Sequence, residues 1–254
     1  MSKRISLFII AKNEEKNIAK CILSARKIVS EVVVVDAFSK DNTVSTCREL
    51  GALVFERAFD NFTEQKNFAL SKTTGDWTLS LDADEVLSAG LAHEIKAAVE
   101  TEEYNAFELV RENSFWGKVM HHGGVRKEVL IRLVRKDKGC FKNGLSHSQF
   151  VAVGKIGRLK NTFVHNSYPT VESYFTKFNQ YTTQAARALY DKGSHCSVFS
   201  VAWHIPFDFI KSYLFQLGFL DGFRGLMWAV FSTGYHFTKS AKLWQLENRY
   251  GRKK

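Results

Sequence analysis

A chain of 254 residues, 45% hydrophobic and 24% charged, carries enough apolar material for one large domain or a domain with an appendage, which excludes a disordered or fibrous protein. Two prolines, and no serine- or glycine-rich tract, internal repeat or low-complexity segment, leave no place for a flexible linker or a solenoid. The formal net charge of +10 implies either a solubilising basic surface or an anionic partner: nucleic acid, lipid headgroup or phosphorylated substrate.

Ile5 to Ile10 is a continuous apolar run of strand length, as a strand buried on both faces requires. Asn13 is placed to cap a helix with Glu14 and Glu15 in its first turn and Ile18, Ile22 and Ala25 along one face. Val32 to Val35 predicts a second strand ending at Asp36. Asp41 or Thr43 is placed to cap the next helix, with Gly51 as its stop. A third strand is expected over 52–56, a helix over 64–71, and a fourth strand over 77–81 that runs into Asp82. Such alternation implies parallel strands with right-handed crossovers, and ligands of these sheets bind beyond the carboxyl ends of the strands. Ala11-Lys12-Asn13-Glu14, Asp36-Ala37-Phe38-Ser39 and Asp82-Ala83-Asp84-Glu85 are therefore expected to meet at one edge.

A helix near 88–99 precedes shorter strands expected over 105–111, 129–134, 149–153 and 160–165. Val171, Tyr174, Phe175, Phe178, Tyr181, Ala185 and Leu189 recur at helical spacing and predict a helix over 171–190. From 198 to 237 Phe, Trp, Leu and Gly dominate, but Pro206, Asp208, Lys211, Asp221 and Arg224 interrupt them. No apolar run reaches the roughly 18 residues needed to cross a bilayer. Two readings stay open: a buried helical hairpin, or amphipathic helices lying in a membrane interface with basic residues toward anionic lipid.

Cys21, Cys47, Cys140 and Cys196 form no CxxC pair, so neither a common zinc spacing nor a disulfide framework is expected. The first residues lack the length and cleavage site of a secretion signal, and the expected location is the cytoplasm. The chemistry concentrates in Trp77-Thr-Leu-Ser-Leu-Asp82-Ala-Asp84-Glu85. Alternate side chains of an extended run point the same way, so Asp82 and Asp84 are expected to converge. Converging carboxylates suit a hard divalent cation that keeps substrate phosphates among its ligands. The competing reading is a turn with a helix cap. Asp36 is placed to accept a hydrogen bond from a ribose hydroxyl or a base, or to serve only as a turn residue. His122, His147 and His165 match no common zinc spacing.

Ile9-Ile-Ala-Lys-Asn13-Glu14, Val35-Asp36-Ala-Phe-Ser39-Lys-Asp41-Asn-Thr43, Gln65-Lys66-Asn67 and Leu81-Asp82-Ala-Asp84-Glu85 resemble, in order and spacing, the inverting family 2 glycosyltransferases. Their GT-A fold is α/β, a Rossmann-like, mostly parallel sheet flanked by helices. Arg111-Glu-Asn-Ser-Phe-Trp-Gly117, His122-Gly-Gly, Ile131-Arg-Leu133, His147, His165-Asn-Ser-Tyr168 and Gly218-Phe-Leu-Asp221-Gly222-Phe-Arg-Gly225 are similar to the lipopolysaccharide inner-core β-1,4-glucosyltransferases. The resemblance covers nearly the whole chain. It implies a catalytic domain over 1–168, with a nucleotide-sugar half over 1–100 and an acceptor half over 101–168. Residues 169–254 become a helical, aromatic-rich extension that packs or meets a membrane.

The implied reaction moves a hexose, glucose from UDP-glucose, with inversion onto a lipopolysaccharide inner-core heptose, or onto another lipid-linked or capsular glycan. By resemblance Ala11, Asn13, Glu14, Asp36 and Ser39 hold uracil and ribose, helped by Lys66. Asp82 touches the ribose or sugar, and Asp84 binds Mg²⁺ or Mn²⁺ on the diphosphate, a Lewis acid for the departing UDP. Arg132 or Lys127 adds positive charge. A base must take the acceptor proton. Many relatives have a carboxylate immediately after the histidine of the His147 motif, where this chain has Ser148, and Lys127-Glu128 replaces their Pro-Asp pair. The candidates are Glu128, Glu112 and His147, with Glu128 first. The implied partners are the UDP-sugar, a glycolipid acceptor and an anionic surface on the inner face of the bacterial cytoplasmic membrane. Nucleic acid is not expected, because no helix-turn-helix, RNP or zinc-finger pattern is present. The alternative to an enzyme is a non-catalytic basic binding module.

Overall fold

The computed structural model describes residues 2–143 and 148–251, so His147 lies outside the described residues. They fall into two compact units, residues 1–112 with 127–165 and residues 113–126 with 166–254. In chain order the first elements are β1 (Ile5–Ala11), α1 (Ile18–Ala25), β2 (Glu31–Asp36), α2 (Thr43–Glu49), β3 (Leu53–Glu56) and α3 (Phe62–Ser71). Next come β4 (Trp77–Ser80), β5 (Glu85–Leu87), α4 (Ala89–Ala98), β6 (Ala106–Phe115), β7 (Lys118–Val119) and β8 (Glu128–Arg135). β9 (Gly139–Asn143), β10 (Ser148–Ala152) and β11 (Ile156–Tyr168) complete the strands. The helices that follow are α5 (Val171–Asp191), α6 (Val198–Ile210) and α7 (Phe223–Tyr250).

The main sheet has the order β3-β2-β1-β4-β8-β6-β11-β5, with β7 on β6; β9 and β10 form a separate pair. β1 through β4 are parallel neighbours, as the strand–helix alternation requires. They are apolar throughout because both faces are covered. Leu7, Ile9, Val32 and Val34 join Ile22, Leu91 and Ile95 in one core. Phe8, Val33 and Val35 point the other way onto Ala69, Phe141 and Phe150. Beyond β4 the pairing turns antiparallel: β8 runs against β4 and β6, and β5 against β11. β6 and β8 follow one another with no crossover helix between them, which permits only that direction.

Two expected helix caps are replaced by loop locks. α1 starts at Ile18, and Asn13 instead takes a left-handed φ of 56°, a conformation asparagine tolerates. Its backbone N–H donates to Ser39 Oγ at 2.8 Å, and its Oδ1 accepts from Lys40 N at 2.8 Å. Neither Asp41 nor Thr43 caps α2. Asp41 Oδ1 accepts from Thr43 N and Oγ1, while Thr43 Oγ1 accepts from Glu14 N at 2.8 Å. The polar residues thus serve contacts between the loops after β1 and β2, which local capping rules do not see. Gly51 ends α2 as expected, with φ 74°.

In the second unit α5 opens on a capping box formed by Thr170 and Ser173. α6 contains Pro206 and continues through one π turn (Lys211–Phe215) and a 3₁₀ turn (Gly218–Asp221) into α7. A Cβ on Gly225 would lie 1.8 Å from Gly218 O, so only glycine fits where these segments touch. Asp221, 6% exposed, accepts from the backbone N–H groups of His121 and His122 at 3.1 and 2.8 Å. The region is not simply a buried hairpin: Trp203, Phe215 and Phe223 are 73–74% exposed. Among the described residues no helix is long and apolar enough to cross a membrane. Thirteen of the 36 Lys and Arg and 5 of the 26 Asp and Glu belong to this unit, which therefore holds +8 of the +10.

Candidate active site

The register of the parallel strands sets the site. Ala11, the last residue of β1, pairs with Asp36, the last of β2, and Ala37 N donates to Ala11 O at 2.9 Å. β4 ends beside them, with Leu81 N on Phe8 O. A cavity of about 330 Å³ opens at these carboxyl ends. Its wall includes Ala11, Lys12, Glu14 and Ala37 from the first two strand ends, and Asp82 and Asp84 after β4. Gln65 of α3, with Phe59 and Phe62 before and at the start of that helix, closes another side. The three clusters do converge on one edge.

The carboxylates reach it by a different route from the one expected. Asp82 O accepts from Glu85 N at 2.9 Å and Asp82 N donates to Glu85 Oε2 at 2.9 Å. Residues 82–85 are therefore a turn, and the alternation of an extended strand does not apply to them. Asp82 and Asp84 share the cavity but have different partners. Lys66 Nζ donates to Asp82 Oδ1 at 2.7 Å and Arg132 Nη2 to Asp82 Oδ2 at 2.9 Å. Arg132 also reaches Glu85 Oε1 at 2.7 Å, and Arg111 Nη1 lies 3.3 Å from the same oxygen.

Burial works to raise the Asp82 pKa, but Arg132 and then Lys66 outweigh it and hold the carboxyl far below the ordinary range. Glu85 has no exposed surface, and its burial pushes it up against the pull of Arg132. Arg132 is buried too, and the two carboxylates hold its proton more firmly than usual. Asp82 is thus saturated by cations. Asp84 is not: its Oδ2 lies 3.1 Å from His165 Nε2, and Oδ1 has no hydrogen-bond partner among the described residues.

No group of three or more His, Cys, Asp and Glu side chains among the described residues makes a metal cage. A cation held by Asp84 and His165 needs its remaining ligands from a substrate, the arrangement typical of Mg²⁺ with phosphates. The residues fit that kind of ion.

The other expected site residues are placed as follows. Asp36, 1% exposed, accepts from Ser39 N at 2.7 Å and Ser39 Oγ at 2.5 Å. Its neighbour Ala37, rather than Asp36, forms cavity wall. Lys66 is buried behind Asp82, its ammonium 5.4 Å from the centre of the Phe141 ring. Glu128, directly across from Arg111 in the β6–β8 ladder, pairs with it at 2.7 Å. Glu112 pairs with Lys127 at 2.6 Å and accepts from Thr162 Oγ1 at 3.0 Å. Neither glutamate forms cavity wall. Arg132 sits inside the acidic turn's network, whereas Lys127 stays on Glu112. Sequence reasoning missed His165 as the partner of Asp84, the Arg132–Glu85 pair, and the wall residues Gln65, Phe59 and Phe62. The register of β11 on β5 sets His165 opposite Glu85, and no local pattern in the sequence signals that pairing.

The family model of glycosyl transferase family 2 matches residues 6–153, more than half of the chain. The chain is similar to an uncharacterized glycosyltransferase of Rickettsia typhi, 33% identical over 96% of this chain and 88% of that one. It is 27% identical to the lipopolysaccharide core biosynthesis glycosyltransferase LpsC of Rhizobium meliloti, covering 95% of this chain and 92% of that one. A crystal structure of S. aureus TarS 1–349 in complex with UDP is 17% identical, covers 72% of this chain and 65% of that one, and has a TM-score of 0.48. With its parallel strand ends, its acidic turn and a family match that runs through both, the chain belongs to glycosyl transferase family 2 and has the GT-A fold.

Proposed function

We propose that this glycosyltransferase moves a hexose, glucose from UDP-glucose, with inversion onto a heptose of a lipopolysaccharide core. The observation that carries the reading is Asp84: a carboxylate on the wall of the strand-end cavity with one oxygen open to a ligand. The name of the 27% identical relative supports the acceptor class. Asp84 and His165 would hold Mg²⁺ or Mn²⁺, which when bound neutralises charge on the departing diphosphate. Ala11, Asn13, Glu14, Asp36 and Ser39 shape the nucleoside end. The exposed rings of Phe59 and Phe62, 5.0 Å apart, give uracil an apolar wall. Lys66 and Arg132 fix Asp82 in the turn that presents Asp84. Glu128 is the proposed base, with Glu112 next, each exchanging its present cation for the acceptor hydroxyl.

UDP with Mn²⁺ is expected to raise the melting temperature, because a ligand at 100 times its Kd stabilises the folded state by about 2.7 kcal/mol. EDTA should cancel the shift. A melting curve unchanged by UDP and Mn²⁺ at millimolar concentration would remove the donor assignment.

We place the protein on the inner face of the cytoplasmic membrane. The second unit combines an excess of positive charge with exposed aromatic residues, the composition that binds anionic lipid surfaces. At low salt it should float with vesicles containing anionic lipid and be released as salt screens the charge. Protein that stays at the bottom of the gradient at every salt concentration contradicts this.

A further inference from the structure

A second cavity, of about 340 Å³, lies between α6 and α7, and its wall is unusual for an aromatic-rich helix pair. His204 and Asp208 are four residues apart on α6, so they share a face. His236, Lys239 and Ser240 do the same on α7. These five polar side chains line the space together, with Ile205 and Phe237 as apolar wall. None of the five side chains makes a hydrogen bond or ion pair with another described residue. His204 and His236 are exposed and Asp208, Lys239 and Ser240 partly exposed, so the space is a groove open to solvent. A set of convergent polar groups along a groove within the roughly 300–1,000 Å³ range of ligand pockets is the form of a binding site for a polar ligand.

The charges select the ligand. His204, Asp208 and His236 are not among any group of three or more His, Cys, Asp and Glu side chains able to hold a metal ion. Lys239 on the wall and Lys211 nearby, both close enough to act on His236, outnumber Asp208 even with both histidines neutral. We propose that this cavity is an anion site for a phosphate monoester, carried either by a lipid headgroup or by a soluble phosphorylated sugar or polyol. Lys239, His236 and His204 donate to the phosphate oxygens, Ser240 adds a neutral donor, and Ile205 and Phe237 face the carbon portion. Asp208 accepts from the histidines or from a hydroxyl of the ligand. Trp203 and Phe207 are exposed on α6 beside His204, which leaves an apolar surface next to the anion site.

Binding here carries a proton. Burial is the main force lowering the His236 pKa; Asp208 opposes it, and Lys239, His204 and Lys211 add to it. With no anion present, His236 is therefore largely neutral near pH 7. A phosphate raises the pKa of a histidine it contacts, so the contribution of His236 to affinity is greatest below its free pKa and is lost as pH rises through the bound one. The site does not depend on the proposed transfer reaction, and its test leaves the donor cavity untouched.

The experiment uses the full chain and two probes. Glycerol 3-phosphate is titrated calorimetrically at about pH 6 and about pH 8. In parallel, flotation compares phosphatidylcholine vesicles containing phosphatidic acid with vesicles made equally anionic by phosphatidylglycerol, a phosphodiester. Saturable binding of at least one monoester is expected, tighter at the lower pH by roughly threefold or more. Lys239→Met and His236→Gln should each weaken it by about tenfold, the usual loss for one charge-assisted hydrogen bond. The melting shift with UDP and Mn²⁺ should be unchanged in both variants. Calorimetric binding assigns the site to a free phosphate ester; flotation selective for phosphatidic acid, without calorimetric binding, assigns it to a lipid headgroup. The proposal is overturned if neither monoester binds, if the monoester vesicles are not preferred and glycerol 3-phosphate is silent, or if a folded Lys239→Met protein binds as well as the parent. Ser240→Ala, which removes only one hydroxyl, serves the same purpose if the larger changes unfold the helix pair.

Discussion

Asp84→Ala is expected to lower transfer by about 10²–10³-fold, the usual effect of deleting one group that stabilises charge in a transition state. Folding should hardly notice. Asp84 contributes one pairing with His165, at a distance of 3.1 Å and at a partly exposed position, and such pairs contribute about 0–1 kcal/mol. Asp82 cannot take over, because it is occupied on both oxygens by Lys66 and Arg132. The substitution therefore separates ligand chemistry from structure. Transfer rates and the Mn²⁺-dependent part of the UDP melting shift should fall together, at a melting temperature close to that of the parent. A variant that turns over at near-normal rate would show that the cation, if one is needed, is held elsewhere.

Arg132→Met should have the opposite profile and destabilise the fold by about 3–5 kcal/mol, the range for removing one partner of a buried ion pair. Arg132 is 6% exposed, and its guanidinium joins Asp82 to the fully buried Glu85. Methionine fills much of the volume but leaves Glu85 with the more distant Arg111, at 3.3 Å, and the Asp82 N–H as its partners. The deficit should depend on pH in a defined direction. Burial already pushes the Glu85 pKa up, and losing Arg132 raises it further. A group whose pKa is raised on folding adds stability below its unfolded value and loses it as pH rises through the folded value. Arg132→Met should therefore be closer to the parent at about pH 5 than at about pH 8. Adding Glu85→Gln should recover part of the loss at high pH. Denaturant midpoints across that range measure this, and a deficit independent of pH would mean that lost packing, rather than an unpaired carboxylate, is responsible.

The parallel half of the sheet was legible in the sequence because its signals are local. Short, β-branched apolar runs such as Ile5 to Ile10 and Val32 to Val35 have the length and composition of strands covered on both faces, and their ends locate the ligand edge. The roles of individual polar residues were less legible, since they depend on partners far along the chain. Asn13 and Thr43 look like caps until Ser39 and Glu14 are set beside them. Lys66 reads as a helper at the nucleoside and Arg132 as added positive charge until both are seen on Asp82, 16 and 50 residues away. The three-residue strand β5 is too short to carry a period, and only its pairing with β11 makes it a strand. The same pairing brings His165 to Asp84, a contact across 81 residues.

The acidic turn is held on all sides before any donor arrives. Its two ends are tied to each other through Asp82 and Glu85, its interior is neutralised by Arg132, and its exit is a strand in register. A loop built this way does not have to become ordered on meeting its ligand, so little binding energy is spent on conformational entropy at that point. Selectivity among sugars must then come from rigid fit rather than from a closing motion of these four residues. A change of donor during evolution would more easily arise in the surrounding wall, where Phe59 and Phe62 are exposed, than in the turn itself.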